Sequence, residues 1–148
     1  MVNILFPIDG SKETYTAVDR ALGILKPGKE STVTFLCVMS KGLRDMPEDA
    51  REYLEYDDED ELFLRDDEAK AAIKKAEDIA KTQKIAAKVV PLVREGRVND
   101  MILEEAKKND LLVMHGLRRD EKEDRKHGNM TEMIARAAGV DVLLIWTD

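Results

Sequence analysis

The stretch 110–132 contains the residues whose types and spacing are suited to binding an anion. An apolar run ends at Met114, a charged loop follows, and Gly128 precedes a helical pattern. Glycine leaves backbone N–H groups accessible, and the free N–H groups and the dipole at a helix N-terminus attract negative charge. The pattern predicts that Gly128 and the N–H groups of Asn129 and Met130 bind a small anion such as a phosphate. Acidic neighbours partly offset the basic residues of this loop, which include Arg118, Arg119, Arg125, Lys126 and His127.

A second candidate is the carboxylate of Asp9, which follows the first apolar run in the sequence FPIDGS at 6–11. Gly10 permits a tight turn there, and Ser11 is suited to cap the helix that follows. The carboxylate would either face a ligand or accept hydrogen bonds from N–H groups of its own turn, and the local sequence alone favours the second role. His115 and Cys37, which lie at or in other apolar runs, are predicted to be structural rather than catalytic.

Five short apolar runs predict the strands that position these residues. The runs are nearly continuous and rich in β-branched residues or leucine, which is typical of strands covered on both faces: 4–8, 33–39, 86–93, 111–114 and 140–146. Helical patterns fill the gaps at 11–25, 67–83, 98–108 and 130–138. Right-handed crossovers make this α/β alternation an open doubly wound parallel sheet. Ligands of such folds bind beyond the carboxyl ends of strands, here after Ile8, Val38 and Met114.

Composition restricts the classes of partner. The 148 residues suit a single domain, and 43% hydrophobic residues are enough for a core. The net charge of −7 disfavours nucleic acid and anionic membrane surfaces because like charges repel. No apolar run approaches the roughly 20 residues that span a bilayer. The N-terminus lacks the pattern of a signal peptide, and the one cysteine, Cys37, forms no internal disulfide. We therefore expect a cytoplasmic protein without a membrane or nucleic-acid partner.

The segment 44–68 departs from the alternation of strands and helices. It contains 13 acidic and three basic residues, and we interpret it as an acidic helix or mobile loop inside a domain spanning 1–148. Neither this segment nor the rest of the chain shows metal-ligand spacing, so no metal site is predicted. The motifs of P-loop ATPases and dinucleotide-binding folds are absent, and no Ser-His-Asp or Cys-His set predicts catalytic residues.

Taken in chain order, several segments resemble the universal stress protein family. They are ILFPIDGS at 4–11, FLCV at 35–38, Gly96, DLLVM at 110–114, GNMTE at 128–132 and VLLI at 142–145. The resemblance covers nearly the whole chain. It implies a Rossmann-like, adenine-nucleotide alpha-hydrolase-like fold with five parallel strands in the order 3-2-1-4-5. It also implies that Pro7, Asp9 and Val38 line an adenosine site, and that the last strand, Val142–Ile145, pairs two subunits as a homodimer.

Members of that family that bind ATP or AMP carry a phosphate loop written G-x-x-G-x9-G-(S/T), from which this chain departs. Aligned on Gly116, the second glycine position falls on Arg119, and only eight residues precede the last glycine. Aligned on Met114, the nine-residue spacing survives, but His115 and Arg118 replace both glycines. An arginine adds bulk and a cation whose donors suit phosphate. The candidate residues of this altered loop are Gly116, Arg118, Arg119, Gly128, Asn129, Met130 and Thr131.

These observations leave two main functions open. The first is a dimeric, universal-stress-type regulatory protein that contacts an unknown protein partner and does not bind ATP tightly. The second is an adenine-nucleotide sensor that binds ATP or AMP through the modified loop. ATP and AMP are the candidate ligands, and the sequence establishes neither as a cofactor. The altered loop favours the first. Slow ATP hydrolysis is a less favoured third alternative, because it needs a positioned water and usually a metal, for which the sequence offers no site.

Overall fold

The computed structural model describes residues 1–39, 66–117 and 131–147, which form five strands and four helices. Their order is β1 (Asn3–Pro7), α1 (Lys12–Leu25), β2 (Thr32–Met39), α2 (Asp66–Thr82), β3 (Lys88–Glu95), α3 (Val98–Ala106), β4 (Leu111–Leu117), α4 (131–137) and β5 (Asp141–Thr147). Most of the acidic segment 44–68 lies outside the described residues. Its last three residues form the first turn of α2, where negative charge stabilises a helix N-terminus.

The strands form one parallel sheet in the order β3-β2-β1-β4-β5, which confirms the predicted doubly wound fold. β1 lies at the centre, so the chain leaves it first toward one edge and later toward the other. The reversal occurs between β1 and β4, where Ile4 and Leu5 align with Leu111 and Leu112. Parallel sheets with such a switch point bind ligands beyond the carboxyl ends of the strands at that position.

Successive residues of β1 pack on opposite faces of the sheet, as the period of a strand requires. Ile4 and Phe6 pack on the face covered by α1 and α2, whereas Leu5 packs on the face covered by α3 and α4. The Phe6 and Phe35 rings meet at 5.5 Å between centroids. Burial on both faces explains why the run of β1 is continuously apolar, because neither face meets water.

β3 and β4 differ from the sequence prediction, β3 in its burial and β4 in its length. All eight residues of β3 are exposed or half-buried, and this strand lies at an edge with a neighbour only on the β2 side. Pro91 lies in β3 opposite Phe35, and proline is tolerated at an edge because it cannot donate to a further strand. β4 extends beyond the predicted Met114 to Leu117, because its pairing with β5 continues to Thr147. Apolar content alone does not show where such pairing ends.

Candidate functional site

The carboxyl ends of β1, β2 and β4 meet at the switch point of the sheet. Beyond β1, the Ile8 N–H group donates to the Leu36 carbonyl at 2.7 Å and extends the strand pairing by one residue. Asp9 is therefore the first residue free of the sheet. Gly10, with φ 80°, then turns the chain into α1, a conformation that glycine adopts without the strain imposed by a Cβ atom.

A cavity of about 60 Å³ lies at this edge, between the sheet and α3. Its lining side chains are apolar except for Asp9 and His115, and they come from β1 and the turn after it, β2, α3 and β4. The lining residues are Pro7, Ile8, Asp9, Leu36, Val38, Val98, Ile102, Met114 and His115. Apolar walls with a few converging polar groups are the usual lining of a small-molecule site, but such sites typically measure about 300–1,000 Å³. This cavity would therefore enclose only part of a ligand of that size.

The first polar group, Asp9, is held by the N-terminus of α1. Its Oδ1 atom accepts hydrogen bonds from the Ser11 N–H group at 2.9 Å and from the hydroxyl of Thr14, which is fully buried. Ser11 caps the helix by accepting from the Thr14 N–H group at 3.1 Å, and its own hydroxyl donates to Thr14 Oγ1 at 3.2 Å. Asp9 thus has the turn role that the local sequence favours. It also lines the cavity, and its contact with a ligand stays a prediction.

The second polar group, His115, lies at the end of β4 and faces the same turn. Its Nε2 atom is 3.7 Å from Asp9 Oδ2, and its Nδ1 atom is 3.5 Å from Thr14 Oγ1. Its side chain is 23% exposed and that of Asp9 is 17% exposed, so water screens the two groups only partly. Asp9, Ser11, Thr14 and His115 make up what we call the polar corner of the cavity.

Asp9 is ionised at neutral pH. Burial raises the pKa of its carboxyl group, but the nearby His115 and the hydrogen bonds from Ser11 and Thr14 outweigh burial and lower the pKa below the ordinary value of 3.8. A hydrogen bond that favours the charged form has this effect on any carboxylate. The cavity therefore presents a negatively charged acceptor within an apolar wall.

Cys37, beneath the corner on β2, has the structural role that the sequence predicts. Its thiol is buried and donates to the Ile8 carbonyl at 3.2 Å. Burial first, and then the charge of Asp9, raises the pKa of this thiol to about 12. A thiol with such a pKa is not a nucleophile at neutral pH, because only the thiolate reacts.

The structure brings together Pro7, Asp9 and Val38, the three residues for which the sequence resemblance implies an adenosine site. Sequence reasoning missed the wall formed by α3, Val98 and Ile102. The helical stripe of α3 was recognised as apolar, yet nothing in the stripe shows that part of it faces a cavity rather than the core. Two further residues of the wall, Leu36 and Met114, belong to predicted strands and give no separate signal.

The phosphate side is described only in part. Gly116 lies in β4, where a Cβ atom would come within 2.7 Å of the Trp146 ring, and its carbonyl accepts from the Thr147 hydroxyl at 3.3 Å. Packing against Trp146 thus accounts for a glycine at this position. Thr131 is buried at the start of α4. The remaining predicted phosphate residues lie outside the described residues and stay predictions: Arg118, Arg119, Gly128, Asn129 and Met130.

Within residues 1–39, 66–117 and 131–147, no group of three or more potential metal ligands converges. In the same residues, no helix combines the length and apolar character needed to cross a membrane.

Comparison with known proteins identifies a family and several similar structures. The model of the universal stress protein family matches residues 1–145. A universal stress protein solved in complex with cAMP is 24% identical over 99% of this chain and 98% of its own, with a TM-score of 0.72. One from Lactobacillus plantarum is 20% identical over 97% of both chains, with a TM-score of 0.69.

A third similar structure is that of a family member from Arabidopsis thaliana with AMP bound. It is 16% identical over 100% of this chain and 93% of its own, with a TM-score of 0.63. At these identities the solved structures establish a shared fold. Among curated protein sequences, none matches this chain.

Proposed function

This chain belongs to the universal stress protein family, and from that premise we propose that it is a regulatory protein that binds an adenine nucleoside or mononucleotide in the cavity and does not bind ATP tightly. The observation that carries the proposal is the cavity at the switch point, where Pro7, Asp9 and Val38 converge. Two proteins of the same fold, solved with cAMP and with AMP, support an adenine ligand.

The chemistry of the cavity suits a nucleoside. A planar base gains free energy from contact with aliphatic side chains such as Leu36, Val38 and Ile102. The thioether of Met114 is flexible and adapts to the shape of a bound molecule. Adenosine also offers N–H and hydroxyl donors, for which the ionised Asp9 is a matching acceptor.

The sequence supports weak rather than tight binding of a triphosphate. Glycine positions of the family's phosphate loop are taken by arginine in either alignment, and by His115 in the alignment that keeps the nine-residue spacing. A side chain at such a position occupies space that a phosphate needs to approach backbone N–H groups. A ligand with one phosphate or none depends less on those groups.

Calorimetry with adenosine, AMP and ATP tests the proposal. We expect adenosine and AMP to bind, and ATP to bind no more tightly than AMP. Absence of measurable binding for both adenosine and AMP would overturn the proposed ligand. ATP binding more than about tenfold tighter than AMP binding would instead show that the altered loop still holds a triphosphate.

A matched pair of variants places the ligand in the cavity. Asp9→Asn removes the charged acceptor, and we expect adenosine to bind about tenfold or more weakly, because a hydrogen bond to a charged group contributes about 1.5–3 kcal/mol. Asp78→Asn removes the charge of an exposed aspartate on α2, far along the chain from the cavity, and should leave binding unchanged. Equal affinities for the two variants would show that adenosine binds elsewhere.

We also propose that two copies of the chain pair through β5. This strand is an edge of the sheet, and its Val142, Leu143 and Leu144 are only half-buried. An unpaired edge with aliphatic side chains favours association with another strand. Sedimentation of the protein and of a Leu144→Lys variant checks this: we expect a dimer that the variant weakens, and a wild-type monomer at micromolar concentration would contradict it.

The proposed role is regulatory rather than enzymatic. Its action on a protein partner and its location in the cytoplasm are expectations from the sequence and remain part of the proposal. Measurement of phosphate release from ATP by the purified protein checks the non-enzymatic role, and turnover abolished by Asp9→Asn would contradict it.

A further inference from the structure

We propose that His115 is a specificity-determining residue of the cavity, because it competes with the ligand for Asp9 and thereby couples ligand binding to release of a proton. The inference rests on the proposed function and adds to it a dependence on pH. It follows from the arrangement of the polar corner.

Only one oxygen of Asp9 is available to a ligand. Oδ1 already accepts from the Ser11 N–H group and the Thr14 hydroxyl. Oδ2 receives no hydrogen bond from the described residues, and the group that faces it is His115 Nε2 at 3.7 Å. A donor of the ligand must therefore use the oxygen that the imidazole also faces.

The hydrogen bonds of Thr14 assign the proton of the neutral imidazole to Nδ1. The Thr14 hydroxyl donates its hydrogen to Asp9 and accepts from the Ser11 hydroxyl, so toward His115 it offers a lone pair. Nδ1, at 3.5 Å, is thus the donor of this contact and Nε2 is left as an acceptor. Two acceptors, Nε2 and Oδ2, then face each other, and their separation of 3.7 Å exceeds the length of a hydrogen bond.

Protonation reverses this relation. A second proton makes Nε2 a cationic donor that faces Oδ2, so the pair gains a charge attraction in a partly buried place. Closing the 3.7 Å separation would make a charge-assisted hydrogen bond. The imidazolium then occupies the acceptor that the ligand needs. The competition therefore depends on the protonation of one imidazole, and pH is the variable that tests it.

The groups around the pair keep their charge in that range. Cys37 of β2 stays neutral because its thiol pKa is raised to about 12. Tyr15 of α1 stays neutral because burial, together with the nearby charge of Asp9, raises its pKa. The residues of α3 that line the cavity are the apolar Val98 and Ile102. On α2, Lys75 Nζ lies 4.5 Å from the centroid of the Tyr15 ring. Among the described residues, the charge of the corner is therefore set by Asp9 and His115.

The direction of the effect follows from linkage. Ligand binding to the ionised Asp9 favours the neutral imidazole, so binding releases a proton and the affinity falls as the pH falls. The loss is at most about tenfold for each pH unit, because one proton is involved. Adenosine is the probe for this test, since it carries no phosphate that would itself titrate.

The experiment is calorimetry of adenosine binding at about pH 5.5 and about pH 8, in buffers of different ionisation enthalpy. For the wild type we expect a weaker affinity at the lower pH, by no more than about tenfold for each pH unit, and release of up to one proton per adenosine. His115→Gln keeps a polar side chain without a titrating group, and we expect it to bind adenosine with the same affinity at both pH values. Carbon NMR of the Asp9 carboxyl group gives a readout without ligand: the variant should raise the pKa of Asp9 by removing the neighbouring cation.

The outcomes separate this inference from the proposed function. Wild-type binding that is equal at both pH values and releases no proton overturns the role of His115 and leaves the adenosine site standing. The same conclusion follows if His115→Gln retains the wild-type pH dependence. No adenosine binding by either protein at either pH overturns the proposed function together with this inference. Binding by His115→Gln alone at the lower pH supports the competition most directly.

Discussion

The cavity has two sides that differ in chemistry and in the kind of contact they offer. The α3 side consists of Val98 and Ile102 packed toward Leu36 and Val38 of β2, and it has no side-chain polar group. The α1 side is the polar corner, where Asp9 accepts hydrogen bonds from two neighbours and faces His115. Both sides are largely buried. The α3 side is buried by contacts between aliphatic side chains, and the polar groups of the α1 side are buried with hydrogen bonds to one another.

This difference predicts how substitutions on each side affect stability and ligand binding. Aliphatic contacts are non-directional and scale with buried area, so the α3 side contributes mainly to stability and general affinity. Buried hydrogen bonds are directional, and each lost partner leaves another polar atom unsatisfied. The polar corner should therefore control which ligand binds and at which pH. Variants on each side test this division.

The largest expected effect is on the apolar side. Ile102→Ala removes a fully buried side chain and leaves a void, which typically lowers the free energy of unfolding by about 2–5 kcal/mol. Urea unfolding measures the loss, and the matched control is Ile24→Ala, whose isoleucine is 64% exposed on α1. The pH dependence of adenosine binding should survive in Ile102→Ala, because the polar corner is intact. Loss of that dependence would show that the two sides are not separable.

A smaller effect on stability is expected at the polar corner. Thr14→Val keeps the shape of a buried side chain but removes the hydroxyl that serves Asp9, Ser11 and His115, and we expect a loss of about 1–3 kcal/mol. The pKa of Asp9 should rise as well, because Thr14 is one of the groups that lower it. Urea unfolding and carbon NMR measure the two effects.

Thr16→Val is the matched control for that variant, since Thr16 lies on the exposed side of the same helix and its hydroxyl donates to the Lys12 carbonyl. Its stability and the pKa of Asp9 should stay close to those of the wild type. If Thr14→Val behaves like this control, the hydroxyl does not organise the corner.

The sequence predicts the strands that position the site better than the side-chain contacts within it. The ends of β1 and β2 follow from continuous apolar runs, because a strand buried on both faces has no polar positions. The strand order was implied by the family resemblance. Pro7, Asp9 and Val38 lie at those ends, so the resemblance placed them at one edge, where the structure has them. β3 shows the limit of the same rule. Its apolar run predicts a strand covered on both faces, but β3 lies at an edge of the sheet and its residues are exposed or half-buried.

The contact between Asp9 and His115 was not predictable in the same way. The two residues are more than 100 positions apart, and their approach depends on the alignment of β4 with β1, which apolar content does not determine. The sequence predicts a structural role for His115 because it lies at the end of an apolar run. Its neighbours Asp9 and Thr14 lie just before α1 and in its first turn, and only the tertiary structure brings them to it.

The smallest expected effect is a loss of folding stability at low pH that depends on Asp9. The pKa of Asp9 is lowered in the folded protein, so its ionised form contributes stability that is present above the unfolded pKa, near 3.8, and is lost as the pH falls through the folded pKa. Relative to Asp9→Asn, the wild type should therefore be more stable at about pH 7, and this advantage should shrink at about pH 3.

That change should be smaller than the two losses of stability above, because it involves one proton on one partly exposed carboxylate. Urea unfolding of both proteins at the two pH values measures it, and the other carboxylates cancel because both proteins share them. An advantage that persists or grows in acid would contradict a lowered pKa. Asp9 would then act in the corner through its shape and hydrogen bonds rather than its charge, and the proposed competition with His115 would lose its electrostatic basis.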